Sequence, residues 1–307
     1  MSNQKPPDLP KLKLPELSQS SPNVFSNLLL TALAPILWGT TYIVTTQFLP
    51  PDRPLMAAVI RVLPAGLLLT VFFRQLPQGR QWWQMLLLAF LNISCFQAML
   101  FISAYRLPGG IAAVVGSLIP LIIMILMWAI DHIIPSRLTI IATLTSIIGM
   151  AMLLVTPAAT WDLLGLMAAF MGAVSMGLGM YLSKRWQPTV SSMVFTGWQL
   201  LFGGLLLLPV AMWRETLPSH LSSDNILGYA YLAFFGSLIA YALFFRGIAT
   251  LTPVAVSVLG IFSPITATII GWLWLQQRLS PIQLIGLLLA LASVVVVQIS
   301  LQRTANK

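Results

Sequence analysis

Charge is what this 307-residue sequence most lacks: Asp, Glu, Lys and Arg together make up 7% of it, against roughly a quarter in soluble domains. With 58% hydrophobic residues and a mean hydropathy of +0.90, the chain has too little polar surface to clothe a water-soluble fold, so its solvent is a bilayer. Cysteine is nearly absent. The single Cys95 lies inside an apolar run, which excludes an internal disulfide and leaves the redox compartment open. His132 and His220 sit in different connections with no Cys or carboxylate at ligand spacing, so no metal and no cofactor is expected. Among the charged residues the acids are the scarcer, seven against sixteen Lys and Arg. Asp8, Glu16, Asp52, Asp131, Asp162, Glu215 and Asp224 fall in the N-terminal tail or between apolar runs. Proton-coupled carriers commonly exchange protons on an intramembrane carboxylate. With none on offer, the chain is either a facilitator driven by a substrate gradient or couples through a group the sequence does not reveal. The same scarcity leaves no paired carboxylates and no His-Asp motif for acid-base or metal-assisted chemistry, so no catalytic residues and no enzyme activity are expected.

What is present is a series of apolar runs, each long enough to cross a bilayer as about 20 helical residues. Ten are expected, all helical: Asn27 to Leu49, Pro54 to Phe73, Trp83 to Tyr105, Gly109 to Ile130, Leu138 to Val155, Leu163 to Leu182, Val190 to Trp213, Leu227 to Phe245, Thr252 to Leu275 and Ile282 to Leu301. Turn chemistry punctuates them at Pro50-Pro51-Asp52, Pro77-Gln78-Gly79, Pro108-Gly109-Gly110, Thr156-Pro157 and Gln187-Pro188. The first 26 residues, with Lys5, Lys11, Lys13 and several prolines, read as a disordered tail rather than a signal peptide, and residues 302–307 as a second short tail.

The runs repeat. Gly260, Pro264 and Ser280 each lie 144 residues after Gly116, Pro120 and Ser136; earlier in each copy, Gly177, Gln199 and Gly204 lie 138 residues after Gly39, Arg61 and Gly66. Two copies of about 140 residues, 27–155 and 156–301, give five spans each. An odd number inverts the second copy in the bilayer and relates the halves by a pseudo-two-fold axis in the membrane plane. Fold class is therefore all-α integral membrane, ten helices as two inverted five-helix repeats, an architecture of transporters. With the N-terminus in the cytoplasm, Lys5, Lys11, Lys13, Arg74, Arg80, Arg137, Lys184, Arg185, Arg246, Arg303 and Lys307 fall inside, while Arg53, Arg106, Arg214 and Arg278 fall outside. That bias places both termini in the cytoplasm. It also accounts for the net charge of +9, so nucleic acid is not an expected partner. The expected partners are the lipid bilayer and a small-molecule substrate, with the chain a monomer or weak homodimer.

Within the spans one charge stands out. Arg61 lies seven residues past Pro54, about 10 Å below the start of its helix, and either snorkels to the surface or faces a cavity. Gln199 at the equivalent place in the other copy favours the cavity. Trp38, Thr41, Tyr42 and Thr45 share one face of the first run; Asn92, Phe96, Met99 and Ser103 share one face of the third; Thr196, Trp198, Gln199, Tyr241 and Ser257 follow in the second copy. Any single Ser or Thr can equally be helix-packing glue. Trp38, Thr41, Tyr42, Arg61, Asn92, Trp198, Gln199 and Tyr241 are the expected substrate-binding set, since aromatics with a few polar groups suit an amphipathic organic solute. Pro120 and Pro264 each remove a backbone donor at equivalent places and are expected hinges.

The order of these features resembles the drug/metabolite transporter superfamily, and within it the EamA-like ten-helix permeases. The carriers are Leu37-Trp38-Gly39-Thr40-Thr41, Arg61, Ala104-Tyr105-Arg106-Leu107-Pro108, Pro120, Ala240 to Ile248, Pro264 and Leu279 to Gly286. Tyr42 to Thr46 and Leu49 to Pro54 look closest to the branch of bacterial pigment-associated efflux permeases. The resemblance implies alternating-access export of small metabolites, often amino acids or related compounds, across a bacterial inner membrane. Gln276-Gln277 departs from it, standing where many relatives have Gly-Glu.

Overall fold

The computed structural model describes residues 22–50, 53–107, 109–154, 162–186, 189–216, 220–274 and 280–305. Gln276-Gln277 and Asp52 lie outside them, as does the side chain of Tyr42. Among the described residues ten helical spans are long and apolar enough to cross a membrane: Val24–Thr45, Pro54–Phe73, Gln81–Leu100, Ala112–Asp131, Arg137–Leu154, Leu163–Trp186, Ser192–Arg214, Ser223–Thr250, Pro253–Trp274 and Pro281–Thr304. Below they are the first to tenth spans. Local chemistry sets several of their ends. Pro54, Pro253 and Pro281 open the second, ninth and tenth spans, where a missing N–H costs nothing. Ser191, Ser222 and Thr252 accept from N–H groups of the first turns that follow them. Arg74 and His132 close the second and fourth spans in the left-handed conformation.

The pseudo-two-fold is visible in pairs of contacts that the repeat exchanges. Gly66 of the second span lies against the Leu200–Leu201 backbone of the seventh, and Gly204 of the seventh lies against Leu63 of the second. A Cβ on Gly66 would come within 2.7 Å of Leu201 Cα, so glycine is what lets these two helices cross at backbone distance. In the same way Gly39 of the first span meets Thr266 of the ninth, and Gly177 of the sixth meets Ile122 of the fourth. Gln97 and Tyr241, 144 residues apart, touch one another, with Gln97 Nε2 donating to the Tyr241 hydroxyl at 3.4 Å. Equivalent residues that meet lie on the axis itself. The fifth and tenth spans pack on one another through Gly149 and Gly286.

Two expectations need correction. Lys184, Arg185 and Asp131, read as loop residues, belong to the last turns of the sixth and fourth spans, and Lys184 is 2% exposed. Asp224 likewise falls in the first turn of the eighth span. The apolar pattern concealed these ends because the charged residues adjoin the hydrophobic run without a helix-breaking residue between. The periodic face Asn92, Phe96, Met99, Ser103 is also interrupted. The third span carries a π-helical turn over Phe90–Cys95, and the eighth carries one over Phe234–Ile239, again 144 residues on. Each extra-wide turn shifts the helical phase, so the residues before and after it no longer share one face.

Candidate functional site

The π-turns organise the centre of the bundle. A π-turn leaves carbonyls poorly served by the helix's own N–H groups, and side chains from neighbouring spans take their place. The Gly236 carbonyl of the eighth span accepts Trp38 Nε1 at 3.0 Å and Arg61 Nη2 at 3.0 Å. In the other half, Leu91 O of the third span accepts Ser175 Oγ at 2.8 Å, and the adjoining Asn92 donates Nδ2 to Gln199 Oε1 and Ser183 Oγ, both at 3.2 Å. Arg61 and Gln199 thus fill the same slot in the two halves, each reaching from the second span of its own repeat to the π-turn of the other.

Arg61 is buried, 9% exposed, with its Nε unpartnered. It did not snorkel. Its guanidinium lies against Gly236, where a Cβ would stand 3.5 Å from Nε. Trp38 packs its ring on Tyr241 at 4.9 Å and Phe244 at 5.0 Å, so Trp38, Arg61 and Tyr241 form one group around Gly236. Thr41 Oγ1 and Ser237 Oγ are buried without partners. Asn92 and Gln199, both fully buried, form a second group; Asn92 Oδ1 and Gln199 Nε2 are unpartnered, and the Asn92 amide sits on the Cα of Gly179. Trp198 joins neither group. It lies near the end of the bundle that carries the termini, donating Nε1 to Gln75 O at 3.0 Å and packing on Trp82 and Phe202. Sequence reasoning did not single out Gly236, Ser237, Gln97 and Ser183. The signal for the first was available: Gly236 is the 144-residue counterpart of Asn92.

Pro120 and Pro264 sit just past breaks in the fourth and ninth spans. The fourth divides into helices Gly109–Gly116 and Ile119–Asp131, the ninth into Pro253–Leu259 and Phe262–Trp274. Beyond these breaks the two halves differ. On the termini side the fourth and sixth spans are tied by an ion pair between Arg185 and Asp131, and Tyr181 donates to Asp131 Oδ2 at 2.7 Å. The side chains are 11% and 3% exposed. Lys184 Nζ adds a 2.7 Å bond to Ala249 O at the end of the eighth span. The positions equivalent to Tyr181, Arg185 and Asp131 are Ile43, Gln47 and Leu275, which carry no charge.

Ten spans, an inverted repeat and polar groups gathered at two matched π-turns describe a carrier, and comparison with known proteins agrees. Residues 25–155 and 163–299 each match the EamA-like transporter family. The chain belongs to this family. It is 45% identical over 267 residues to Protein PecM of Dickeya dadantii, covering 86% of this chain and 90% of that one. It is 27% identical over 267 residues to the uncharacterized inner membrane transporter YedA of Escherichia coli K12, covering 85% and 87%. A crystal structure 18% identical in sequence superposes with a TM-score of 0.78 over 92% of this chain and 99% of its own, which shows the fold. The protein is a multi-pass membrane transporter and not an enzyme.

Proposed function

We propose that this EamA-family transporter exports small amphipathic metabolites, amino acids or related compounds, across a bacterial inner membrane by alternating access, with both termini in the cytoplasm. The observation that carries the reading is the pairing of equivalent crossings with unequal ends. Gly39–Thr266 and Gly177–Ile122 are the same contact in two halves, yet among the described residues only the fourth and sixth spans are tied by an ion pair beyond it. Two packings of one motif within a chain are what a rocking-bundle carrier interconverts. On the lysine and arginine bias the tied end faces the cytoplasm, which supports an outward-facing resting state. Trp38, Tyr241 and Arg61 around Gly236, together with Thr41, Asn92 and Gln199, supply the mix of aromatic surface and few polar groups that an amphipathic solute needs. Pro120 and Pro264, placed at the breaks, are the hinges of this motion.

Counterflow in proteoliposomes tests the mechanism. A carrier shows saturation and acceleration by substrate on the opposite side; a passive channel shows neither. Within that assay Trp38→Ala and Asn92→Ala should each lower the rate at matched membrane abundance. Wild-type kinetics in both variants would return these residues to helix packing.

A further inference from the structure

We propose that Arg61 holds an anionic group of the substrate, a carboxylate by preference, so that the transported class is organic acids and zwitterions rather than neutral or cationic solutes. The proposal rests on the transport reading above and deepens it. Its starting point is a charge without a counterion among the described residues. A guanidinium stays protonated in proteins, and this one is buried mid-bundle with one hydrogen bond from Nη2 to a neutral carbonyl and a buried Nε that has no partner. The described carboxylates are committed elsewhere or distant. Asp131 is bound to Arg185 and Tyr181, Asp162 to Arg106 and the Gly165 N–H, and Glu215 to the N–H groups of Leu55 and Met56 at the start of the second span. Asp224 opens the eighth span twelve residues before Gly236, about 18 Å along the helix.

The bundle does not need this charge to pack. Its repeat-equivalent, Gln199, fills the same slot against the opposite π-turn with a neutral amide. A charge kept in one half, at a cost of burial the other half avoids, is therefore tied to something outside the fold. The surroundings fit an anion that is part of an organic molecule. Ser237, next in sequence to the carbonyl Arg61 grips, is fully buried with an unpartnered Oγ and offers a second donor on the same π-turn. Trp38 is only half-buried and, with Tyr241, presents an aromatic wall beside the guanidinium for an apolar body. Arginine's planar fork suits a carboxylate better than a spherical ion.

The test compares acids with their own amides on the full-length purified protein. N-acetyl-L-tryptophan against N-acetyl-L-tryptophanamide, and benzoate against benzamide, differ in charge and little in shape. Binding is read as the rise in thermal unfolding temperature over a concentration series at fixed chloride, and transport as counterflow in proteoliposomes. Wild type should bind at least one acid about ten- to a hundred-fold more tightly than its amide, the range expected for a charge-assisted pair. Arg61→Gln should collapse that ratio towards one, Arg61→Lys should keep part of it, and Ser237→Ala should reduce it a few-fold. A wild type that prefers no acid over its amide overturns the proposal, as does an acid preference that survives Arg61→Gln. Should Arg61→Gln fail to fold, Arg61→Lys and Ser237→Ala decide, and undiminished ratios in both overturn it. Acid-selective binding without counterflow would uphold the site and refute the carrier mechanism, so the two failures are distinct.

Discussion

Replacing Asp131 by Asn keeps the shape of the side chain and its hydrogen bond from Tyr181 but removes the charge that Arg185 faces. Removing one member of a fully buried ion pair costs about 3–5 kcal/mol, because the other charge is left without compensation. Here Arg185 is in the last turn of its helix with its side chain 11% exposed, so the freed guanidinium can turn towards water. The expected loss is accordingly smaller, about 1–3 kcal/mol. If that loss falls on the closed arrangement of the fourth and sixth spans, their opening equilibrium shifts roughly 5- to 150-fold, at about 1.4 kcal/mol per factor of ten. Amide hydrogen exchange of segments 126–131 and 181–186 in lipid nanodiscs should speed by that factor, while exchange in the fifth and tenth spans stays unchanged. The reversed pair Asp131→Arg with Arg185→Asp should recover protection that neither single variant has. Unaltered exchange in Asp131→Asn, or a double variant no better protected than the singles, would refute the idea that this pair holds the end shut.

Three other outcomes follow from the packing. Gly179→Ala puts a methyl within 2.7 Å of Asn92 Cγ, so it should displace the Asn92–Gln199 bond and cost about 1–3 kcal/mol, read as a lower thermal unfolding temperature; Asn92→Ala should relieve the clash, and a lack of such rescue counts against the contact. Gly66→Val places bulk against the Leu200–Leu201 backbone and should prevent stable assembly, whereas valine at the exposed Leu67 should be tolerated; equal expression of the two counts against the crossing. A reporter active only in the cytoplasm should work at either terminus, and activity of a periplasm-only reporter there would overturn the orientation.

The fold was legible because it is written in long-range order: runs of the right length, an odd number per copy, and glycines and prolines recurring at fixed offsets. Gly39, Gly66 and Gly177, which mark the repeat, turn out to sit at the helix crossings, since the same steric demand is imposed twice by the pseudo-two-fold. The site was legible in part. Arg61 and Gln199 stood out because polar groups are costly in lipid, and the offset showed they were one position seen twice. What the sequence withheld depends on helical phase. A π-turn has no residue signature of its own, so the sequence pattern puts Asn92 on a face that the turn at Phe90–Cys95 breaks and gives no reading of Gly236. Trp198 was grouped with its neighbour Gln199, although adjacent residues on a helix point about 100° apart and the two end in different environments. Asp131 and Arg185 looked like loop charges because pairing across two helix ends is a tertiary event that composition cannot report.

The central claim is that the two halves exchange packings, one end closing as the other opens. Paired spin labels on the fourth and sixth spans at the termini end, and on the first and ninth at the opposite end, measure both distances in nanodiscs by pulsed electron resonance. In Asp131→Asn the account predicts a longer fourth-to-sixth distance together with a shorter first-to-ninth distance; a lengthening at one end with no change at the other would contradict it.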